Sequence, residues 1–103
     1  MARPKALSPI EAYEAIQQLL GSRDSISLTD HARKRMRERQ FTVDDVWRVL
    51  MFGSVSPNPE WDEQFQNWKY RVSGVDYDNA PPALIVALIP SQGRITVITG
   101  TDD

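Results

Sequence analysis

The sequence predicts an α+β fold, with N-terminal helices packed on one face of a small antiparallel sheet. Two observations carry that expectation. Apolar residues recur at helical spacing only between residues 8 and 53. After Gly53 the period falls to two, or gives way to short apolar runs separated by turn residues. Helices first and consecutive strands afterwards is the order found when helices gather on one side of a sheet. A chain of 103 residues, 41% hydrophobic and 25% charged, can bury one modest core. The expected organisation is a polar N-terminal tail over residues 1–7 and a single domain over 8–103.

The first helix opens on "SPIE". Ser8 is placed to cap, Pro9 suits the first helical position, and Glu11 stands three residues after the cap. Tyr13, Ile16, Leu19 and Leu20, helped by Ala12, form its apolar stripe, and Gly21 is the expected stop. "SRDSISL" reads as a connector. A second helix begins at Thr29 or Asp30, either of which can cap, and runs to about Arg39. A third follows at once. Thr42 caps it, Asp44 and Asp45 suit the positive end of its dipole, and Phe41 can staple onto Val46. Val46, Val49 and Leu50, with Trp47 beside them, make its buried side, and Gly53 ends it.

Beyond Gly53, "SVSPNPEWDEQF" has no clear period and reads as a loop with a short edge strand around Val55. "NWKYRVSG" alternates, with Trp68, Tyr70 and Val72 on one face and Lys69, Arg71 and Ser73 on the other. "VDYDNAPP" has the composition of a turn. "ALIVALI" is short and β-branched enough for a central strand, "PSQG" is the next turn, and "RITVITG" is the last strand. In that strand Ile95 and Val97 fall on one face, Thr96 and Ile98 on the other.

Composition removes several function classes. There is no cysteine, so a disulfide framework or thiolate metal site is excluded. No apolar run approaches the roughly 20 residues of a membrane span, and "MARPKALSPIEAY" lacks the apolar stretch of a signal peptide. The expectation is a soluble cytoplasmic protein. No glycine-rich phosphate loop or zinc signature is present, and the spacing of Asp76, Asp78 and Asn79 is not that of a calcium loop. No metal and no cofactor are implied.

The charge is unevenly distributed. The net charge is −2, yet residues 31–39 hold Arg33, Lys34, Arg35, Arg37 and Arg39 against Glu38 alone, a local +4 that leaves −6 elsewhere. Such a basic stretch on an acidic body suits either RNA or an acidic protein partner. Within it His31, Arg35 and Arg39 are spaced i, i+4, i+8 and share one side of the helix. An imidazole beside guanidinium groups suits phosphodiester cleavage. The ring would accept the 2′-hydroxyl proton while the cations stabilise the phosphorane. The competing reading is that His31 caps or packs and that the basic run is a solvated face. Trp68 and Tyr70 could stack bases, or belong to the core. Lys69 and Arg71 alternate away from that apolar face and are the better surface candidates. Thr96 and Thr99 could offer hydroxyls to a phosphate, or reflect β-propensity alone.

The stretch "HARKRMRERQFTVDDVWRVLMFGSV", followed by "WKYRVSGVDYD", an apolar strand and "ITVIT", resembles a bacterial domain-of-unknown-function family. Its members carry the pattern His-Ala-x-x-Arg-Met-x-x-Arg-Gly. The resemblance spans roughly residues 26–100. It implies kinship with small ribonuclease toxins of the RelE and BrnT type, and with the barnase–EndoU–colicin–RelE fold. On that basis the function expected is a metal-independent, toxin-type ribonuclease. His31 and Arg35 match the signature and would be catalytic, with Thr99 in the last strand. Arg39, Lys69, Arg71 and Thr96 would bind the nucleic acid. The partners implied are RNA and an acidic, antitoxin-like protein. A non-catalytic RNA-binding or protein-interaction domain using the basic helix 30–39 is the alternative. Gln40 stands where the pattern has glycine, a difference that bears on the helix junction.

Overall fold

The computed structural model describes residues 5–21, 25–64, 66–74 and 83–100. The turn expected over "VDYDNAPP" lies outside the described residues, as do residues 1–4 of the expected tail. Among the described residues there are three α-helices, α1 (Pro9–Leu19), α2 (Asp30–Glu38) and α3 (Val43–Phe52), with one short strand between the first two. The strands are β1 (Ile26–Leu28), β2 (Ser54–Val55), β3 (Glu60–Asp62), β4 (Asn67–Ser73), β5 (Ala83–Ile89) and β6 (Arg94–Gly100). The architecture is α+β, as the sequence predicts. Among the described residues no helix is long and apolar enough to cross a membrane.

The helix ends follow their capping chemistry. Ser8 and Glu11 form a reciprocal capping box on α1, with bonds of 3.2 and 2.9 Å. Those bonds hold the Glu11 carboxyl below its ordinary range, the backbone bond at Ser8 contributing most. Thr42 and Asp45 make a second box on α3. Of the two candidate caps for α2 it is Thr29 that serves, accepting from the Ala32 amide at 3.1 Å.

The turn between α2 and α3 is a Schellman motif. The Phe41 amide reaches back to the Met36 carbonyl at 2.8 Å and the Gln40 amide to the Arg37 carbonyl at 3.3 Å. This places Gln40 in the left-handed region, φ +56°. A side chain there is strained, and glycine is not. Gln40→Gly is therefore expected to stabilise the fold by about 0.5–1 kcal/mol, the strain relieved outweighing the entropy glycine adds to the unfolded chain. Urea denaturation with an unchanged slope would measure it, and a lowered midpoint would contradict the strain argument.

The sheet runs in the order β1-β6-β5-β4-β2, with β3 also pairing with β4. Four of its pairings are antiparallel. The fifth, β1 with β6, is parallel. Two elements differ from the sequence expectation. "SRDSISL", read as a connector, contains β1, which pairs Ile26, Ser27 and Leu28 with Ile95, Thr96 and Val97. The loop "SVSPNPEWDEQF" contains not only the expected edge strand at Val55 but also β3, which folds back on β4. Both strands are too short to show a period, and the first is set by a partner far along the chain.

One face of the sheet carries the core. Tyr70, Val72, Leu84, Val86, Leu88, Ile95 and Val97 pack against Ala12, Ile16 and Leu20 of the α1 region, Ala32 and Met36 of α2, and Val46, Val49 and Leu50 of α3. The stripe expected for α3 is buried, and so are Ala12, Ile16 and Leu20 of the one expected for α1; Tyr13 is instead exposed, its hydroxyl donating to the Met51 carbonyl at 3.2 Å. Leu7, at the end of the expected tail, packs on this core, and its amide donates to the Tyr70 hydroxyl at 3.0 Å. The opposite face of the sheet bears the alternate residues, and the helices leave it open.

Candidate nucleic-acid interface

The predicted site residues divide between two places. His31, Arg35 and Arg39 belong to the helix layer. Ala32 and Met36 are buried, which turns the rest of α2 toward solvent: His31, Arg33, Lys34, Arg37 and Arg39 are exposed. Arg35 is half-buried and pairs with Glu38 at 3.7 Å. Arg39 lies just past the helix as its C-cap. The His31 ring makes no hydrogen bond or ion pair among the described residues. An imidazole that works as a base is ordinarily held in one orientation by a partner on its other nitrogen, and His31 has none here.

Lys69, Arg71, Thr96 and Thr99 gather on the open face of the sheet. Register aligns them in two rows. Ser27, Thr96, Ala87, Lys69 and Glu60 stand side by side across five strands. Thr99, Ile85 and Arg71 form the row beside them. Simple alternation from Val97 would turn Thr99 toward the core. An irregularity between Ile85 and Val86 prevents this: β6 pairs Val97 with Val86 but Thr99 with Ile85, leaving Ile98 as an extra residue. A bulge re-aims the strand beyond it, and here it brings Thr99 to the side of Thr96. Tyr70 is buried and half-buried Trp68 packs on the core, so these aromatics serve the interior and not a base-stacking platform.

A cavity of about 370 Å³ opens at one end of this face. Its walls include Ser56 and Asn58 from the β2–β3 loop, Glu60 of β3, Lys69 and Arg71 of β4, and Ile85 of β5. Lys69 is held by Asp62 at 3.6 Å. Arg71 is half-buried, and its guanidinium has no hydrogen bond or ion pair among the described residues. The same is true of the Glu60 carboxylate. At the far side of the sheet Arg94 donates to the Ser27 hydroxyl at 2.8 Å, adding a cation to that edge.

Glu60 is the residue that sequence reasoning misses, because its strand goes unread. A signal for it exists. "EWD" and "NWK" are a matched pair, with Trp61 opposite Trp68, their rings edge to face at 5.4 Å, and Asp62 able to reach Lys69. Cross-strand aromatic and opposite-charge pairs of this kind mark a hairpin. Among the described residues, no three His, Cys, Asp or Glu side chains come together in a group suited to a metal ion.

A family model described as a domain of unknown function (DUF4258) matches residues 28–99. The chain belongs to that family, and the matched region runs from the end of β1 to within one residue of the end of β6. No curated protein and no solved structure matches the chain.

Proposed function

We propose that this chain is a metal-independent ribonuclease of the RelE-like toxin type, and that it receives RNA on the open face of its sheet. One observation carries the reading. Two cations and two threonine hydroxyls, on strands β4 and β6, stand in register on a face without helices and beside a cavity of ligand size. Guanidinium and ammonium groups are suited to phosphate oxygens, and hydroxyls to the sugar–phosphate backbone. The basic edge of α2, His31 included, adds a charged flank that would draw RNA toward the domain. The net charge does not oppose this, because the positive residues are concentrated.

The test is incubation of purified protein with total RNA in EDTA. Wild type is expected to give fragments, and Arg71→Ala to lose about 10²–10³-fold in rate, the range for removing one stabilising donor from a developing anion. His31→Ala is expected to retain most of the rate. Loss of cleavage in His31→Ala with Arg71→Ala unaffected would return the chemistry to α2. RNA bound by wild type in a salt-dependent manner, with no product, would instead favour the binding-module alternative, which the unsupported His31 ring also suits.

A further inference from the structure

The open-face cavity holds a carboxylate and a guanidinium that do not pair with each other. Glu60 and Arg71 line the same 370 Å³ space, on β3 and β4, with Lys69 opposite Glu60 and two residues before Arg71 on β4. Opposite charges that share a cavity without closing a salt bridge leave room for a ligand that engages both. The ligand must present an anionic group to Arg71 and a donor to Glu60. A ribonucleotide has both within a few bonds: a phosphodiester, and the adjacent 2′-hydroxyl. The volume lies in the range of small-ligand sites, about 300–1,000 Å³. Ile85 supplies an apolar wall, while Ser56 and Asn58 supply neutral polar groups to the lining.

We propose that this cavity is the site of the scissile phosphodiester, with Glu60 accepting the 2′-hydroxyl proton and Arg71 neutralising the charge that grows on phosphorus-bound oxygen. The proposal rests on the ribonuclease reading above. The 2′-oxygen attacks phosphorus as its proton passes to the Glu60 carboxylate. The bond from 2′-oxygen to phosphorus forms and the bond from phosphorus to the 5′-oxygen breaks. The products are a 2′,3′-cyclic phosphate and a 5′-hydroxyl. The leaving oxygen takes a proton from water, and Glu60 returns its own proton to solvent. Lys69, fixed by Asp62 at 3.6 Å, stands opposite Glu60 on the neighbouring strand and adds a second cation to the phosphate's surroundings.

The experiment compares wild type, Glu60→Gln and Arg71→Ala on a single-stranded RNA oligonucleotide in EDTA. Products are identified by mass, and binding of the 2′-O-methyl oligonucleotide is measured by anisotropy. Glu60→Gln keeps the shape and the exposed position but cannot accept the proton. It is expected to lose about 10²–10⁴-fold in kcat while binding the uncleavable RNA as tightly as wild type. Arg71→Ala is expected to lose both rate and affinity. Near-ultraviolet circular dichroism confirms that the variants are folded. Wild-type cleavage that survives in Glu60→Gln, or that yields no cyclic phosphate, overturns the assignment while leaving a ribonuclease. If wild type cleaves no RNA, both fall together.

Discussion

Gly53→Ala is expected to lower stability by about 3 kcal/mol, at the upper end for overpacking a tight site. Gly53 ends α3, but its backbone is ordinary, φ −79° and ψ 179°, so conformational freedom is not the reason for glycine. Space is. A Cβ at this position would lie 2.5 Å from the Ser73 carbonyl oxygen and 2.5 Å from that of Val49. Both are backbone atoms, one in the last turn of α3 and one at the end of β4. Neither can swing aside as a side chain would. The Gly53 amide also donates to Val49 at 2.7 Å, so moving the residue away breaks the cap. Gly21→Ala is the control: among the described residues nothing stands within 4 Å of its added Cβ, and no loss is expected. Urea midpoints with unchanged slopes measure both. A Gly53→Ala midpoint equal to wild type would mean that α3 and β4 can separate at small cost.

The contrast between Gly53 and Gln40 shows what a sequence conveys about a junction. Both helices end where the sequence says they should. A glycine after α3 reads as a stop whatever its cause, and only the structure shows that the cause is the approach of β4. Gln40 is the reverse case. The resemblance read from the sequence implies a glycine there, and the left-handed φ of +56° supplies a physical reason for one. The amphipathic stripes of α1 and α3 and the alternation of β4 were legible because each is set by local periodicity. β1 and β3 were not. Their three residues carry no period; the partner of β1 lies far along the chain, and β3 shows only in its cross-strand match with β4.

The site divides in the same way. Lys69 and Arg71 could be placed on a surface by counting in twos. Thr99 could not, because an extra residue in β6 reverses the count after Val97. Arg35 and His31 share a helix edge as the spacing requires, yet spacing says nothing of whether a ring is held by a partner. Glu60 required a strand that the prolines at 57 and 59 conceal. A cavity is a property of several elements meeting, and no single stretch of sequence encodes it.

Thr29→Val should cost about 2–3 kcal/mol, and the reason joins the helix layer to the sheet. Valine keeps the β-branched shape and the extended backbone of the cap, φ −71° and ψ 162°. What it lacks is the oxygen. The Thr29 hydroxyl accepts from the Ala32 amide at 3.1 Å and donates to the Ile98 carbonyl at 2.7 Å. Loss of the cap removes about 1–2 kcal/mol, and a strand carbonyl left without its donor adds about 1 kcal/mol. That carbonyl belongs to the extra residue of the β6 bulge, so the same hydroxyl that starts α2 also secures the irregularity that turns Thr99 to the open face. Thr29→Ser keeps both bonds and is expected to lose far less. Urea denaturation of the pair, with hydrogen exchange at the Ala32 amide, separates the causes. Equal losses in the serine and valine variants would refute the hydroxyl as the cause, because serine retains it. A loss confined to valine, with faster exchange at Ala32, would establish the hydroxyl as the tie that fixes the basic helix against the strand bearing both threonines.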